Sequence, residues 1–181
     1  LGASRSQPVR LWSLSSPSHS ATYWKWPLSI LNMVYKILSK IIAEKLLPLI
    51  PGLIHADQNG LIPRRNTSQN LRRPYQIMEE TPSEWPYSAC LVIDIEQAFD
   101  TISWKYMYMV LGDFGISAHM IGWIKLLYAT PTARAQTKQH ISDTYTIARG
   151  TRQGCLLSPI LFALAIKPLV VKLRLQGAVW E

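Results

Sequence analysis

A carboxylate at the end of an apolar run constrains this chain more than any other feature. Residues 91–100 read LVIDIEQAFD, and the apolar start of this segment is typical of a buried strand. Because burying an unpaired charge is costly, we expect Asp94 at an open strand end, facing water, a cation or a partner. The alternative is an aspartate that caps the following helix or pairs with an arginine, and the spacing alone favours that structural role.

A second motif changes this interpretation. Residues 150–159 read GTRQGCLLSP, which places two glycines, a cation and an amide before an apolar helical run. With these two motifs the chain resembles the reverse transcriptases of non-LTR, LINE-type retrotransposons. IDIEQAFD resembles the first catalytic motif of the polymerase palm, and GTRQGCLLSP resembles the next one, where the family usually has proline in place of Leu156. The segments LLYATPTARAQ and LIHADQNGLIPRRNTSQNLRR also resemble family segments, so that the resemblance covers residues 26–175.

The resemblance implies an α+β fold, a partial right-hand polymerase made of the fingers and part of the palm. Residues 23–181 are then a partial reverse transcriptase domain, and the serine-rich residues 1–22 are predicted to be a disordered or unrelated arm. The family's remaining metal ligands are paired aspartates on a hairpin, and no Asp-Asp pair occurs in the sequence. We therefore expect a fragment that lacks this catalytic hairpin and the thumb and is inactive alone.

The resemblance also implies a metal site. Phosphoryl transfer by polymerases uses two cations, and Mg²⁺ prefers hard oxygen ligands. By resemblance, Asp94 is the catalytic carboxylate and metal ligand, assisted by the backbone carbonyl of Ile95. Asp100 is interpreted as a helix-start or structural acid, and Glu96 as a surface acid.

The incoming nucleotide is expected to contact residues of both motifs. Phe99 is predicted to press against the sugar and exclude a 2′-hydroxyl group, although the same position suits a core phenylalanine. Gln153 and Gly154 are predicted to lie against the nucleotide and the template, since glycine permits close backbone approach. Arg152 is predicted to reach a phosphate.

A basic cluster precedes the first motif, and it is formed by Arg64, Arg65, Arg72 and Arg73. Guanidinium groups bind phosphates bidentately, so this cluster is predicted to contact nucleic acid; the alternative is a solvated charged face. The balance of 19 Lys and Arg against 11 Asp and Glu, a net charge of +8, also favours an anionic partner. Besides Leu156, two positions depart from the family: Trp26 replaces an arginine, and Arg64 replaces a glycine.

Local patterns predict five further elements. Helices are expected over residues 32–49, 103–111, 117–128 and 159–174, and a hairpin is expected from residues 132–137 and 144–148.

Three functions are compatible with this reading. The first is an RNA-directed DNA polymerase that acts on an RNA template, a DNA primer and deoxynucleoside triphosphates with Mg²⁺. The second is a non-catalytic nucleic-acid-binding remnant, and the third is a decayed element without function. No uninterrupted apolar segment of bilayer length occurs, and the two cysteines have no metal-site spacing, so we expect an intracellular protein of the cytoplasm or nucleus with no membrane partner.

Overall fold

The computed structural model describes residues 9–12, 28–60, 62, 65–80, 95–136 and 140–175. The elements in chain order are β1 (Val9–Trp12), β2 (Leu28–Ile30), α1 (Met33–Leu46), a 3₁₀ turn (Leu47–Leu49), α2 (Ile50–Leu53), α3 (Ser68–Glu80), α4 (Ala98–Thr101), α5 (Trp104–Asp113), α6 (Ala118–Leu127), β3 (Thr132–Gln136), β4 (Tyr145–Thr146) and α7 (Ser158–Leu175). The fold is therefore a mixture of helices and strands, as predicted.

The helix predicted over residues 32–49 forms, but only one side of it is covered. Asn32 caps α1, because its side-chain oxygen accepts a hydrogen bond from the Val34 amide at 2.9 Å. The buried side carries Ile42 and Leu46, while the apolar side chains of Val34 and Ile37 are exposed. The pattern located the helix but not its buried side, because its apolar residues occupy a stripe wider than the contact.

The predicted hairpin and the other helices are confirmed, with ends shifted by one or two residues. β3 pairs with β4 in antiparallel register, with Thr132 opposite Thr146. Ser117 caps α6 through a hydrogen bond from the Met120 amide at 3.3 Å.

The sheet contains a strand from the predicted arm. Its strand order is β2-β1-β3-β4, with β1 antiparallel to β2 and parallel to β3. Thus Val9–Trp12, which belong to the arm predicted to be disordered or unrelated, form backbone hydrogen bonds with two other strands. The boundary at residue 22 remains a prediction.

The core lies where α7 packs against α5, and its largest fully buried side chains include Leu111, Ile124, Leu157, Leu161 and Leu164. Burying such side chains contributes roughly 1.5–3 kcal/mol each. This core fixes the start of α7, and hence the loop before it, against the residues around α4. Within the described ranges, no helix is long and apolar enough to cross a membrane.

Candidate functional site

The two sequence motifs meet in the structure. The Thr151 amide donates to the Phe99 carbonyl at 2.6 Å, and the Gly150 amide donates to the Ile102 carbonyl at 2.8 Å. We call this pairing of residues 97–102 with residues 150–154 the motif junction. Both segments are thereby held by backbone hydrogen bonds, so that the side chains between them are placed with little freedom.

Gly150 makes the motif junction possible. Its φ is +88°, and a Cβ atom at this position would lie 2.7 Å from the carbonyl oxygen of Asp100. Real Cβ atoms do not approach backbone so closely, and the positive φ is unfavourable for other residues. The Trp104 indole also donates to the Gly150 carbonyl at 2.8 Å. The first glycine of the second motif is therefore required by the crossing of two backbones.

Phe99 lies half-buried at the motif junction. Its ring centroid is 4.7 Å from that of Phe162 on α7. One side of the ring therefore contacts the core, which fits the reading as a core residue, while the part left accessible is compatible with the predicted contact with a sugar.

A side-chain contact also joins the two segments. The Gln153 amide donates to the Asp100 carboxylate at 3.4 Å. Desolvation by neighbouring atoms raises the pKa of the Asp100 carboxyl group above its usual value, and the hydrogen bond from Gln153 opposes this shift. Asp100, interpreted from the sequence as a structural acid, thus contacts a residue predicted to bind the nucleotide.

Arg152 lies over an aromatic ring. Its guanidinium carbon is 4.3 Å from the ring centroid of Tyr35 on α1. The Arg152 backbone carbonyl accepts a hydrogen bond from the Ser158 hydroxyl at 2.7 Å, which caps the turn into α7. Among the described residues, the buried Nε of Arg152 has no hydrogen-bond partner. The predicted contact of Arg152 with a phosphate stays a prediction.

Gly154 approaches the strand before α1. Its φ is +80°, and an added Cβ atom would lie 3.4 Å from the Ser29 carbonyl oxygen. This is ordinary van der Waals contact, so at Gly154 the backbone conformation, more than the space, requires glycine.

The predicted basic cluster is not one free surface. Arg65 donates to the backbone carbonyls of Ile54 at 3.1 Å, His55 at 2.5 Å and Gln58 at 3.0 Å. Its guanidinium group therefore holds together the loop after α2.

The other arginines of the cluster differ from one another. Arg73 forms an ion pair with Asp57, which also accepts from Arg174 of α7 at 3.1 Å. Arg72 is exposed, and Arg64 lies outside the described residues. Of the four, Arg72 is therefore the cation that the structure shows exposed to solvent.

The predicted metal site is only partly described. Asp94 lies outside the described residues. The described range resumes at Ile95, whose side chain is 41% exposed. Within the described ranges, no group of three or more His, Cys, Asp or Glu side chains is placed to hold a metal ion.

A pocket of about 370 Å³ lies beside the motif junction, between the loop after α2 and α7. Asp57, Asn59 and Arg174 provide polar groups, and Phe162, which also contacts Phe99, forms part of an apolar wall. The residues predicted to bind the nucleotide do not line this pocket.

Sequence reasoning missed two residues at this site. Tyr35 is one residue in an amphipathic helix, and no motif marks it as a partner of Arg152. No motif marks Asp57 either, although it accepts hydrogen bonds from arginines of two helices. The signal for Asp57 was an isolated carboxylate in a strongly basic stretch.

The fold mixes helices and strands and brings the two sequence motifs together at the motif junction, and comparison with known proteins gives the family of the chain. The family model for reverse transcriptase (RNA-dependent DNA polymerase) matches residues 17–179. The chain belongs to this family.

Curated relatives place the chain among proteins of non-LTR retrotransposons. It is 30% identical over 151 residues to the transposon TX1 uncharacterized 149 kDa protein of Xenopus laevis, covering 83% of this chain and 12% of the relative. It is 24% identical over 146 residues to the retrovirus-related Pol polyprotein from type-2 retrotransposable element R2DM of Drosophila melanogaster, covering 80% of this chain and 13% of the relative. The chain is thus a reverse transcriptase domain fragment related to non-LTR retrotransposon proteins, and it spans about an eighth of the length of these relatives.

Proposed function

We propose that this chain supplies the fingers and part of the palm of an RNA-directed DNA polymerase, which extends a DNA primer on an RNA template. The observation that supports this most is the motif junction. Gly150 brings the segment that follows Asp94 against the segment that carries Gln153 and Gly154. A carboxylate for metal binding and a glycine-rich loop for the nucleotide are needed within a few ångströms of each other in such a reaction.

Three of the residues predicted to bind the nucleotide have a defined role in this proposal. Phe99 contacts the deoxyribose, and Gln153 and Gly154 contact the base pair that forms between the nucleotide and the template. Asp100 orients Gln153 through the hydrogen bond between their side chains. The chain's own contribution is to position the nucleotide, since phosphoryl transfer depends mainly on positioning and electrostatic stabilisation.

Mg²⁺ is the proposed cofactor, with the Asp94 carboxylate and the Ile95 carbonyl as its ligands here. When bound, Mg²⁺ neutralises charge on the transferring phosphate and activates the primer hydroxyl. One carboxylate is not a complete ligand set for two ions. We therefore propose that the paired aspartates and the thumb belong to a segment outside these 181 residues, and that this chain alone does not extend a primer.

The alternative function is nucleic-acid binding without catalysis. The net charge of +8 and the exposed Arg72 favour it, and it predicts RNA or DNA binding that survives Asp94→Ala. A decayed element without function would show no saturable binding. In each case we propose an intracellular location, in the cytoplasm or nucleus.

Primer extension tests the proposal. In the longer protein that contains this chain, we expect dNTP incorporation on a primed RNA template, abolished by Asp94→Ala and retained in Asp143→Ala, a matched change at an exposed aspartate near the β3–β4 hairpin. Incorporation that survives Asp94→Ala would refute the assigned role. Saturable binding without any incorporation would favour the alternative.

A further inference from the structure

The partly buried Arg152 lies against an aromatic ring. Its guanidinium carbon lies 4.3 Å from the Tyr35 ring centroid, within the range of a cation–π interaction. The Arg152 Nε is buried and lacks a hydrogen-bond partner among the described residues. The Tyr35 ring is therefore a principal contact of the Arg152 guanidinium group. A cation–π interaction is stronger where water is excluded.

Tyr35 is itself fixed by its surroundings. It lies near the start of α1, which packs against α6, and is half-buried against the core. Burial raises the pKa of the Tyr35 hydroxyl, and the neighbouring Tyr128 and Cys155 act in the same direction. The hydroxyl group therefore stays protonated and the ring neutral at physiological pH.

At Gly154 the same loop passes beside the same part of the chain. Gly154 lies close to the carbonyl oxygen of Ser29 in β2, just before α1. The loop is therefore held at Arg152 by Tyr35, while at Gly154 it has a φ of +80° and passes beside Ser29. Gln153 is the residue between them, and its amide reaches Asp100 across the motif junction.

We propose that Tyr35 is a positioning residue, which stacks on Arg152 and so holds residues 152–154 in the arrangement that directs Gln153 toward the nucleotide. In this arrangement Arg152 links the loop to α1 instead of serving as the main phosphate ligand. The last step, from loop to nucleotide, rests on the proposed function, whereas the stacking and its effect on the loop do not.

The first test is independent of catalysis. In the 181-residue chain, ¹⁵N–¹H spectra of the Arg152 Nε–H and hydrogen exchange of the amides of residues 152–155 are compared among variants. Tyr35→Phe, which keeps the ring, should match the unaltered chain. Tyr35→Leu should shift the Arg152 signal and speed loop exchange by about two- to thirtyfold, the range expected for the loss of a cation–π contact.

Two controls separate positioning from general destabilisation. The first control is Tyr108→Leu. Burial raises the pKa of Tyr108 to about 12, and the centroid of its ring lies 5.4 Å from the Lys125 Nζ atom, so Tyr108 is also a partly buried tyrosine beside a cation. Its replacement should nevertheless leave the hydrogen exchange of residues 152–155 unchanged. Arg152→Leu keeps Tyr35 and should speed exchange as Tyr35→Leu does, so it also answers the question if Tyr35→Leu fails to fold. Unchanged loop exchange in both Tyr35→Leu and Arg152→Leu would overturn the proposal.

The second test uses primer extension by the longer protein. Tyr35→Leu should raise KM for the dNTP by about two- to thirtyfold, and Tyr35→Phe should restore it. Altered loop exchange with an unchanged KM would overturn the link to the nucleotide. Failure of the unaltered protein to incorporate dNTP would instead count against the proposed function, and the exchange data would still decide whether Tyr35 holds the loop.

Discussion

The motif junction and the basic cluster were both predicted from sequence to bind nucleotides or nucleic acid, and the structure organises them in opposite ways. In the motif junction, backbone groups bond to each other, and the side chains of Phe99 and Gln153 remain partly accessible. In the basic cluster, the cationic side chains themselves provide the bonds, with Arg65 on three carbonyls and Arg73 on Asp57.

This difference shows what a sequence motif can and cannot predict. A glycine required by a close approach has one physical explanation, so its position in a motif is informative. An arginine can donate hydrogen bonds to a phosphate, a carboxylate or a carbonyl, so its presence in a motif does not specify its partner. Counting cations therefore overestimates the surface available to nucleic acid.

The largest effect is expected at the motif junction itself. Gly150→Ala would place a Cβ atom 2.7 Å from the Asp100 carbonyl oxygen at a φ of +88°. Overpacking and the unfavourable φ together should lower the free energy of unfolding by about 3 kcal/mol. Chemical denaturation measures this change.

Gly112→Ala is the matched control. Gly112 lies inside α5, and an added Cβ atom would meet nothing within 4 Å. Alanine should stabilise this helix by up to about 1 kcal/mol. Equal effects of the two substitutions would show that the motif junction is looser than described.

The second-largest effect on the free energy of unfolding is expected from a substitution in the basic cluster. Arg65→Met removes a donor to the carbonyls of Ile54, His55 and Gln58 and should lower the free energy of unfolding by about 2 kcal/mol. Arg72→Met, at an exposed position, should change it by less than about 0.5 kcal/mol. Thermal denaturation at equal ionic strength makes the comparison, and similar losses in both variants would contradict the assigned role of Arg65.

Arg72 should matter instead for binding. Arg72→Gln should weaken binding of RNA and reduce the slope of log K against log salt by about 1, as for the loss of one phosphate contact. Arg73→Gln should change this slope less, because Asp57 already neutralises Arg73. Salt titrations followed by fluorescence anisotropy distinguish the two, and a larger slope change for Arg73→Gln would reverse the assignment.

The smallest effect is a pH dependence at the motif junction. Because desolvation raises the pKa of Asp100 in the folded state, the folded protein favours the protonated carboxyl group. Its contribution to stability is therefore fully present below the unfolded value of 3.8 and is lost as the pH rises through the folded pKa. As the pH rises through that window, the Asp100→Asn variant should become more stable relative to the unaltered chain. A relative gain in stability that appears as the pH falls would contradict a raised pKa for Asp100.

Much of the fold could be predicted because local signals agree with tertiary structure. Asn32 and Ser117 cap helices as their residue types favour, and the β3–β4 hairpin follows an alternating pattern. The strand Val9–Trp12 could not be predicted, since its pairing with β2 and β3 depends on distant residues. The buried side of α1 was also not predictable, because the apolar stripe exceeds the contact area.

The candidate site was predictable as a pair of segments but not as a set of contacts. The resemblance implies that the incoming nucleotide contacts residues of both motifs, and in the structure the carbonyls of Phe99 and Ile102 accept hydrogen bonds from Thr151 and Gly150. The stacking of Arg152 on Tyr35 joins residues over 100 positions apart, and no spacing rule links them. Long-range pairing of this kind requires the folded chain.

The central claim is that the motif junction binds the incoming nucleotide, and photocrosslinking tests it most directly. The longer protein would be bound to a primed RNA template with a photoreactive dATP analogue, irradiated and digested. We predict labelled peptides from residues 95–102 and 150–154, with labelling suppressed by excess dATP. Labelling confined to peptides from other parts of the chain, with equal suppression, would contradict the account.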